Sequence, residues 1–342
     1  MVARNHSDAP AHREVLLETA LKCVMLAVHL SNGRVSVRDV RRPRRPEGFA
    51  LIRLLAAGIC NTDLELQRGY YGFSGIPGHE FVGEVVAADN AELLGRRVVG
   101  EINLACRKCE WCRRGLGRHC PKRTVLGIVR HPGAFRELLT LPEVNLHVVP
   151  NSISNEEAVF VEPIAAACEI LDQATFPDGE RGAVLGDGKL GLLIAQVLNA
   201  RGLNPHLYGR HPHKLKIAAR AGVETSIVKK KLPTAAYDWV VEATGSQDGL
   251  DQAVRMVRPR GSVFMKSTVH GKAAIDKAHV IVNEITLVGS RCGRFEPALD
   301  LLRTRSINVH DMISESFPLP QAQRAFQRTG EPGIMKVLLN AG

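Results

Sequence analysis

The sequence predicts an α/β protein in two parts, a β-rich part followed by a doubly wound parallel sheet, and three observations carry this. From about Cys23 to Pro150, short strand-like segments alternate with Gly and Pro. From Gly182 the texture becomes strand then helix, repeated. At the head of that second part stands Gly186-Asp187-Gly188-Lys189-Leu190-Gly191, a G-x-G-x-x-G pattern of the kind that joins a strand to a helix in a nucleotide-binding βαβ unit.

In the first part strands are expected at Cys23 to Leu30, Arg34 to Val40, Ala50 to Gly58, Phe81 to Ala88, Arg96 to Glu101 and Phe135 to Thr140, mostly antiparallel. A helix from about Asn155 to Asp172 joins the parts. In the second part strand Ala183 to Leu185 leads to helix Leu190 to Arg201, and strand His206 to Gly209 to helix His213 to Ala221. There follow strands at Thr225 to Val228 and Trp239 to Val241, a helix near Gln247 to Val257, and strands at Ser262 to Met265 and Thr286 to Gly289. After Gly289 a helix over Glu296 to Arg303, a Pro-marked helix over Phe317 to Arg328 and a strand over Met335 to Leu339 are expected to return to the first part.

The chain has 342 residues, which at roughly 100 to 200 residues per domain suggests two domains. No apolar run approaches the roughly 20 residues that span a bilayer, so no membrane association is expected. The formal net charge is +10, but the basic residues are dispersed over Arg41 to Arg45, Arg107 to Arg123 and Lys229 to Lys231, as on a solvated surface, and no nucleic-acid partner is expected. Residues 1–21 read as a disordered or helical arm. Asp8, Glu14 and Glu18 argue against a transit peptide and no apolar core marks a signal peptide, so a cytoplasmic location is expected, with organelle targeting by the arm as the alternative. In a reducing compartment clustered cysteines favour metal over disulfides.

Cys106, Cys109, Cys112 and Cys120 follow C-x2-C-x2-C-x7-C. Four thiolates close a tetrahedron around zinc and leave no open position, so the 103–123 lobe is read as a structural zinc site. A second set is dispersed: Cys60, His79 with Glu80, and Glu162. Each alone is ordinary, a buried thiol, a turn histidine or a helix N-terminal acid. Together a thiolate, an imidazole and a carboxylate would leave one position open, as a catalytic zinc requires.

With the pieces Gly58 to Asp63, Gly78-His79-Glu80, Cys106 to Cys120, Val161-Glu162-Pro163, Gly186 to Gly191 and Glu242 to Gly245, the chain resembles the zinc-dependent medium-chain dehydrogenase/reductase family over roughly residues 22 to 340. The resemblance implies a discontinuous GroES-like catalytic domain, 22–160 and 291–342, around a Rossmann domain, 161–290. It implies Cys60, His79 and Glu162 as catalytic zinc ligands with Glu80 able to approach, and Asp63 behind His79. It also implies Thr62 at the head of a proton relay. Many relatives continue that relay with a histidine three residues later, where this chain has Glu65, which could accept a proton itself; otherwise the relay would run through water and the cofactor ribose. A carboxylate at Glu162 resembles the polyol and sugar dehydrogenase branch.

In the glycine pattern Gly186 permits the tight turn, Gly188 lets backbone approach a pyrophosphate, Gly191 allows close helix packing, and Lys189 and Leu190 open the helix whose N–H groups face the phosphates. NAD enzymes place an acid at the end of the second strand, but Leu207-Tyr208-Gly209-Arg210-His211 has none. Gly209 makes room and Arg210 can hold a ribose phosphate, so NADP is favoured over NAD. Thr244 is assigned to the cofactor loop through the family match. The expected reaction is hydride transfer between NAD(P) and a small secondary alcohol, a polyol, sugar, cyclitol or threonine-like compound, or the matching carbonyl. The alternatives are an aldehyde or alkene reductase of the same fold and a non-catalytic nucleotide-binding zinc protein. The resemblance further implies a homo-oligomer, dimer or tetramer, built across Thr286 to Gly289.

Overall fold

The computed structural model describes residues 24–228, 231–267 and 274–341. The expected arm at 1–21, Cys23 and Lys229-Lys230 lie outside the described residues.

The β-rich part is organised around Phe49–Gly58, ten residues that are buried along most of their length, as a strand covered on both faces must be. Antiparallel partners flank it: Glu80–Ala87 on one side, and Leu138–Pro142 and Lys336–Asn340 on the other. The seven-stranded sheet continues through Arg97–Gly100 to Leu146–Val148 at one edge and ends with Ile313–Pro318 at the other. A separate hairpin, Val24–Ser31 with Arg34–Arg41, turns at Asn32 and Gly33. Both turn residues have positive φ, 48° and 73°, the geometry that matches the twist of paired strands.

One expected element changes. The helix read over Phe317 to Arg328 begins only at Ala322, because Ile313–Pro318 is a strand running parallel to Lys336–Asn340. The apolar residue Phe317 faces the core of that sheet. Pro318 then ends the strand, since it cannot continue a ladder, and a short turn at Leu319–Gln321 leads into the helix.

The second sheet has six strands, all parallel, in the order Glu224–Ile227, His206–Gly209, Gly182–Leu185, Tyr237–Glu242, Val257–Met265, Thr286–Gly289. The chain order reverses at Gly182–Leu185, and ligands of such sheets bind at the carboxyl ends there. The glycine loop emerges at that end. The two parts share one core: Ala56, Val82 and Val99 of the first sheet join Val184, Trp239 and Val241 of the second around the Val161–Gln173 helix. Ile164, Ala165, Ala167 and Ile170 of that helix are fully buried, and burying a large aliphatic side chain contributes about 1.5–3 kcal/mol. Among the described residues no helix is long and apolar enough to cross a membrane.

Candidate active site

Cys60 caps the Asn61–Gln67 helix, and the side chain of Asp63 accepts its backbone N–H at 2.8 Å. Because Asp63 also accepts the N–H of Gly78 at 3.2 Å, one fully buried carboxylate ties the segment carrying Cys60 to the segment carrying His79. A Cβ on Gly58 would lie 2.7 Å from the Glu80 carboxylate, so the glycine is what lets that side chain lie over the strand.

Ligand atoms of Cys60, His79 and Glu80 lie within 4.8 Å of one another. His79 and Glu80 are buried, and the Nδ1 of His79 has no hydrogen-bond partner. Asp63 is 3.6 Å from that Nδ1, beyond a good hydrogen bond but close enough for charge. Burial disfavours the His79 imidazolium, yet Asp63 and Cys60 outweigh burial and hold its pKa well above the ordinary value. A pocket that draws positive charge this strongly, with sulfur, nitrogen and oxygen donors converging, fits a divalent cation.

Glu162, expected as the third ligand, is not one of the three residues whose ligand atoms all lie within 4.8 Å of one another. It lies in the first turn of the Val161–Gln173 helix and feels His79, Glu80, Lys336 and Lys266; burial is the largest influence and raises its pKa. Glu80, adjacent to His79 in the chain, is the carboxylate within 4.8 Å of both Cys60 and His79. Thr62 is beside the group, its hydroxyl 3.7 Å from the Cys60 sulfur. Glu65 instead pairs with Arg68 at 2.5 Å, so the structure gives it a partner outside the cluster. Tyr70 and Phe73 pack against the core of the β-rich part, while Tyr71 is exposed.

The sequence reading missed Lys336. It is fully buried, forms an ion pair with Glu80 and lies 5.5 Å from the Phe160 ring centroid. Burying an ammonium alone costs several kcal/mol, so it persists only beside a buried anion. Its signal was a lysine inside the otherwise apolar run Met335 to Leu339.

The four-cysteine lobe is equally compact. Sulfur separations are 3.5 Å for Cys109–Cys112, 3.7 Å for Cys109–Cys120 and 4.0 Å for Cys106–Cys112. Backbone N–H groups of Lys108 and Cys109 help to lower the Cys106 pKa to about 6, the thiolate form that metal needs.

At the glycine loop, Gly186 has φ 120° and its Cβ would meet the Ala243 carbonyl at 2.4 Å, while a Cβ on Gly191 would meet the Gly186 carbonyl at 2.0 Å. Nothing lies within 4 Å of a Cβ on Gly188. The first and last glycines are thus required by close packing, and the middle one faces open space, as a pyrophosphate cradle should. Lys189 opens the following helix and Leu190 packs on the core. Burial and then Lys336 lower the Lys189 pKa, and Cys60, Glu80 and Asp63 act on it in the opposite sense. The Thr244 hydroxyl donates to Glu242 at 2.6 Å and shapes its loop.

Arg210 is exposed at the end of the second strand. The structure supplies beside it the carboxylate that the Leu207 to His211 stretch lacks: Asp187 accepts the N–H groups of Arg210 and His211 at 2.8 and 2.6 Å.

Two family models match the chain, the alcohol dehydrogenase GroES-like domain over residues 46–151 and the zinc-binding dehydrogenase domain over 190–304. An alcohol dehydrogenase from Thermus sp. ATN1 is 30% identical and superposes with a TM-score of 0.84 over 92% of this chain and 99% of that one. The chain belongs to the zinc-dependent medium-chain dehydrogenase/reductase family. A zinc-binding dehydrogenase from Sinorhizobium meliloti, solved with NADP, is 27% identical with a TM-score of 0.85, covering 93% of this chain and all of its own. D-altritol 5-dehydrogenase of Agrobacterium fabrum is 28% identical over 327 residues, 90% of this chain and 97% of that protein. This dehydrogenase is accordingly an NAD(P)- and zinc-dependent oxidoreductase acting on alcohols, with a GroES-like domain and a Rossmann sheet.

Proposed function

We propose that the dehydrogenase oxidises a secondary alcohol of a polyol, sugar or cyclitol, or of a threonine-like compound, and prefers NADP. The observation that carries the reaction is the convergence of a thiolate, an imidazole and a carboxylate at Cys60, His79 and Glu80; exposed Arg210 at the end of the second strand supports the cofactor preference. The name of the Agrobacterium relative, a polyol dehydrogenase, supports the substrate class.

Bound at Cys60, His79 and Glu80, zinc would supply a Lewis acid for the alcohol oxygen, and the dinucleotide a hydride acceptor. Asp63 fixes the Cys60 and Gly78 backbones. Lys336 holds Glu80, and Glu162 adds a second carboxylate behind the site. Thr62, whose hydroxyl is 3.7 Å from the Cys60 sulfur, would accept a hydrogen bond from the substrate hydroxyl and pass the proton to water. Arg210 favours a ribose phosphate. The four cysteines hold a second, structural zinc. Among the described residues the Thr286–Gly289 strand has no partner on its outer edge, and Ile281 and Val282, shortly before it in the chain, are exposed, which supports a dimer across that edge.

The test is a hydride-transfer screen of polyols, sugars, cyclitols and threonine with NAD and with NADP, alongside a metal count. Turnover of a vicinal secondary alcohol, faster with NADP, and two zinc ions per chain are expected. Turnover confined to primary alcohols or alkenes would overturn the substrate reading, and equal use of both cofactors would overturn the preference.

A further inference from the structure

Position 187, between the first two glycines of the loop, carries an acid in this chain, and its surroundings are specific. Asp187 is 7% exposed. Its Oδ2 accepts the N–H of Arg210 at 2.8 Å and of His211 at 2.6 Å, and the His211 ring nitrogen Nδ1 lies 3.1 Å from both of its oxygens. A Cβ on Gly209 would lie 2.5 Å from Asp187 Cβ and 2.6 Å from its carboxylate. The space in which a strand-end side chain would stand is therefore filled by a carboxylate arriving from the glycine loop. The two N–H groups it takes lie at the entry to the Pro212–Arg220 helix, where a bound phosphate would otherwise find donors.

We propose that Asp187 is a specificity-determining residue of the cofactor site, opposing Arg210. It offers the acceptor that a ribose 2′-hydroxyl needs. It also occupies donors that a 2′-phosphate would use and sets a like charge beside that phosphate. Specificity is a difference of affinities, so the NADP preference is set by the balance of Arg210 against Asp187 and is smaller than Arg210 alone would give. The proposal rests on the NADP reading of Arg210 above.

The test measures calorimetric binding of 2′,5′-ADP and 5′-AMP, which differ only in the 2′-phosphate, to the zinc-loaded protein. It compares wild type with Asp187→Asn, Asp187→Ala and Arg210→Gln. Asp187→Asn removes the charge and keeps an acceptor for the two N–H groups; Asp187→Ala also frees those donors. Both should raise the preference for 2′,5′-ADP, by about fivefold for Asn and more for Ala, with 5′-AMP unchanged or weaker. If both variants shift the two ligands by the same factor, Asp187 only shapes the loop and the proposal fails. Arg210→Gln reads the underlying assumption separately: it should weaken 2′,5′-ADP about tenfold with little effect on 5′-AMP. Equal weakening there would remove the NADP reading while leaving the Asp187 comparison to stand or fall on its own pair. Melting temperatures identify a variant that fails to fold, and the other Asp187 variant then decides.

Discussion

The dehydrogenase carries two sulfur-bearing clusters built in opposite ways. The lobe draws all four donors from Cys106 to Cys120, and its turns and short helix exist to bring those sulfurs together. The Cys60 cluster draws on a helix cap and the start of a strand, and its charged neighbours Glu162 and Lys336 come from the first turn of an interdomain helix and from the Lys336–Asn340 strand. A local cluster closes on itself and suits a structural ion. A dispersed one can leave a side open to substrate, and it depends on the whole fold for its geometry.

The comparison breaks most visibly if one cysteine is removed from each cluster. Cys60→Ala should release one zinc per chain and lower kcat/KM by about three orders of magnitude or more, with a small change in melting temperature because the packed sheet remains. Cys109→Ala should release the other zinc and lower the melting temperature by several degrees, since metal stands in for a core in that lobe. Metal analysis, kinetics and calorimetry on the two variants check this. Matching effects of the two variants on stability and turnover would erase the distinction.

The contrast also explains what the sequence could reveal. Repeated short spacing is a local property, so the lobe was legible residue by residue, and so was the glycine loop, whose strand and helix are adjacent in the chain. The parallel sheet followed from alternating texture. The dispersed cluster depends on distances between remote segments. Cys60 and His79 were found through motif pieces, but which carboxylate, Glu80 or Glu162, lies closer to them depends on packing that no spacing encodes. Lys336 and Asp187 escaped for the same reason: each meets its partner, Glu80 or the Gly209–His211 turn, only after the fold closes. Phe317 was assigned to a helix because the strand Ile313–Pro318 is defined by its parallel partner and not by its own pattern.

Within the dispersed cluster, carboxylate substitutions sharpen the ranking. Glu80→Gln should lower kcat/KM about 100-fold and Glu162→Gln about 10-fold, if Glu80 is the donor nearest the metal and Glu162 supports it. The reverse order would restore Glu162 to the ligand set. Lys336→Met leaves Glu80 buried without its cation and should cost about 3–5 kcal/mol in urea unfolding. The Glu80→Gln/Lys336→Met double variant should recover part of that loss, because no uncompensated charge remains.

The last effect concerns the seam between the two regions. Arg118 of the lobe donates to Glu169 and to the Cys292 carbonyl, both at 2.7 Å. Arg291 donates back to the Arg118 carbonyl at 2.7 Å. Next to them buried Lys266 donates to the carbonyls of Ala166 and Arg291 and to Ser290, and burial pushes its pKa down to about 8 from 10.5. Between those two pH values the unfolded chain holds a proton that the folded chain has released. Lys266 therefore lowers stability fully below about pH 8, and its penalty is relieved as pH rises through that window. Relative to Lys266→Met, the wild type should gain about 2 kcal/mol of unfolding free energy between pH 7.5 and 9.5. The difference between the two proteins isolates this lysine from other titrations. A flat difference would mean that the three acceptors hold the ammonium charged, making the seam a fixed ionic clamp between lobe and active site across that range.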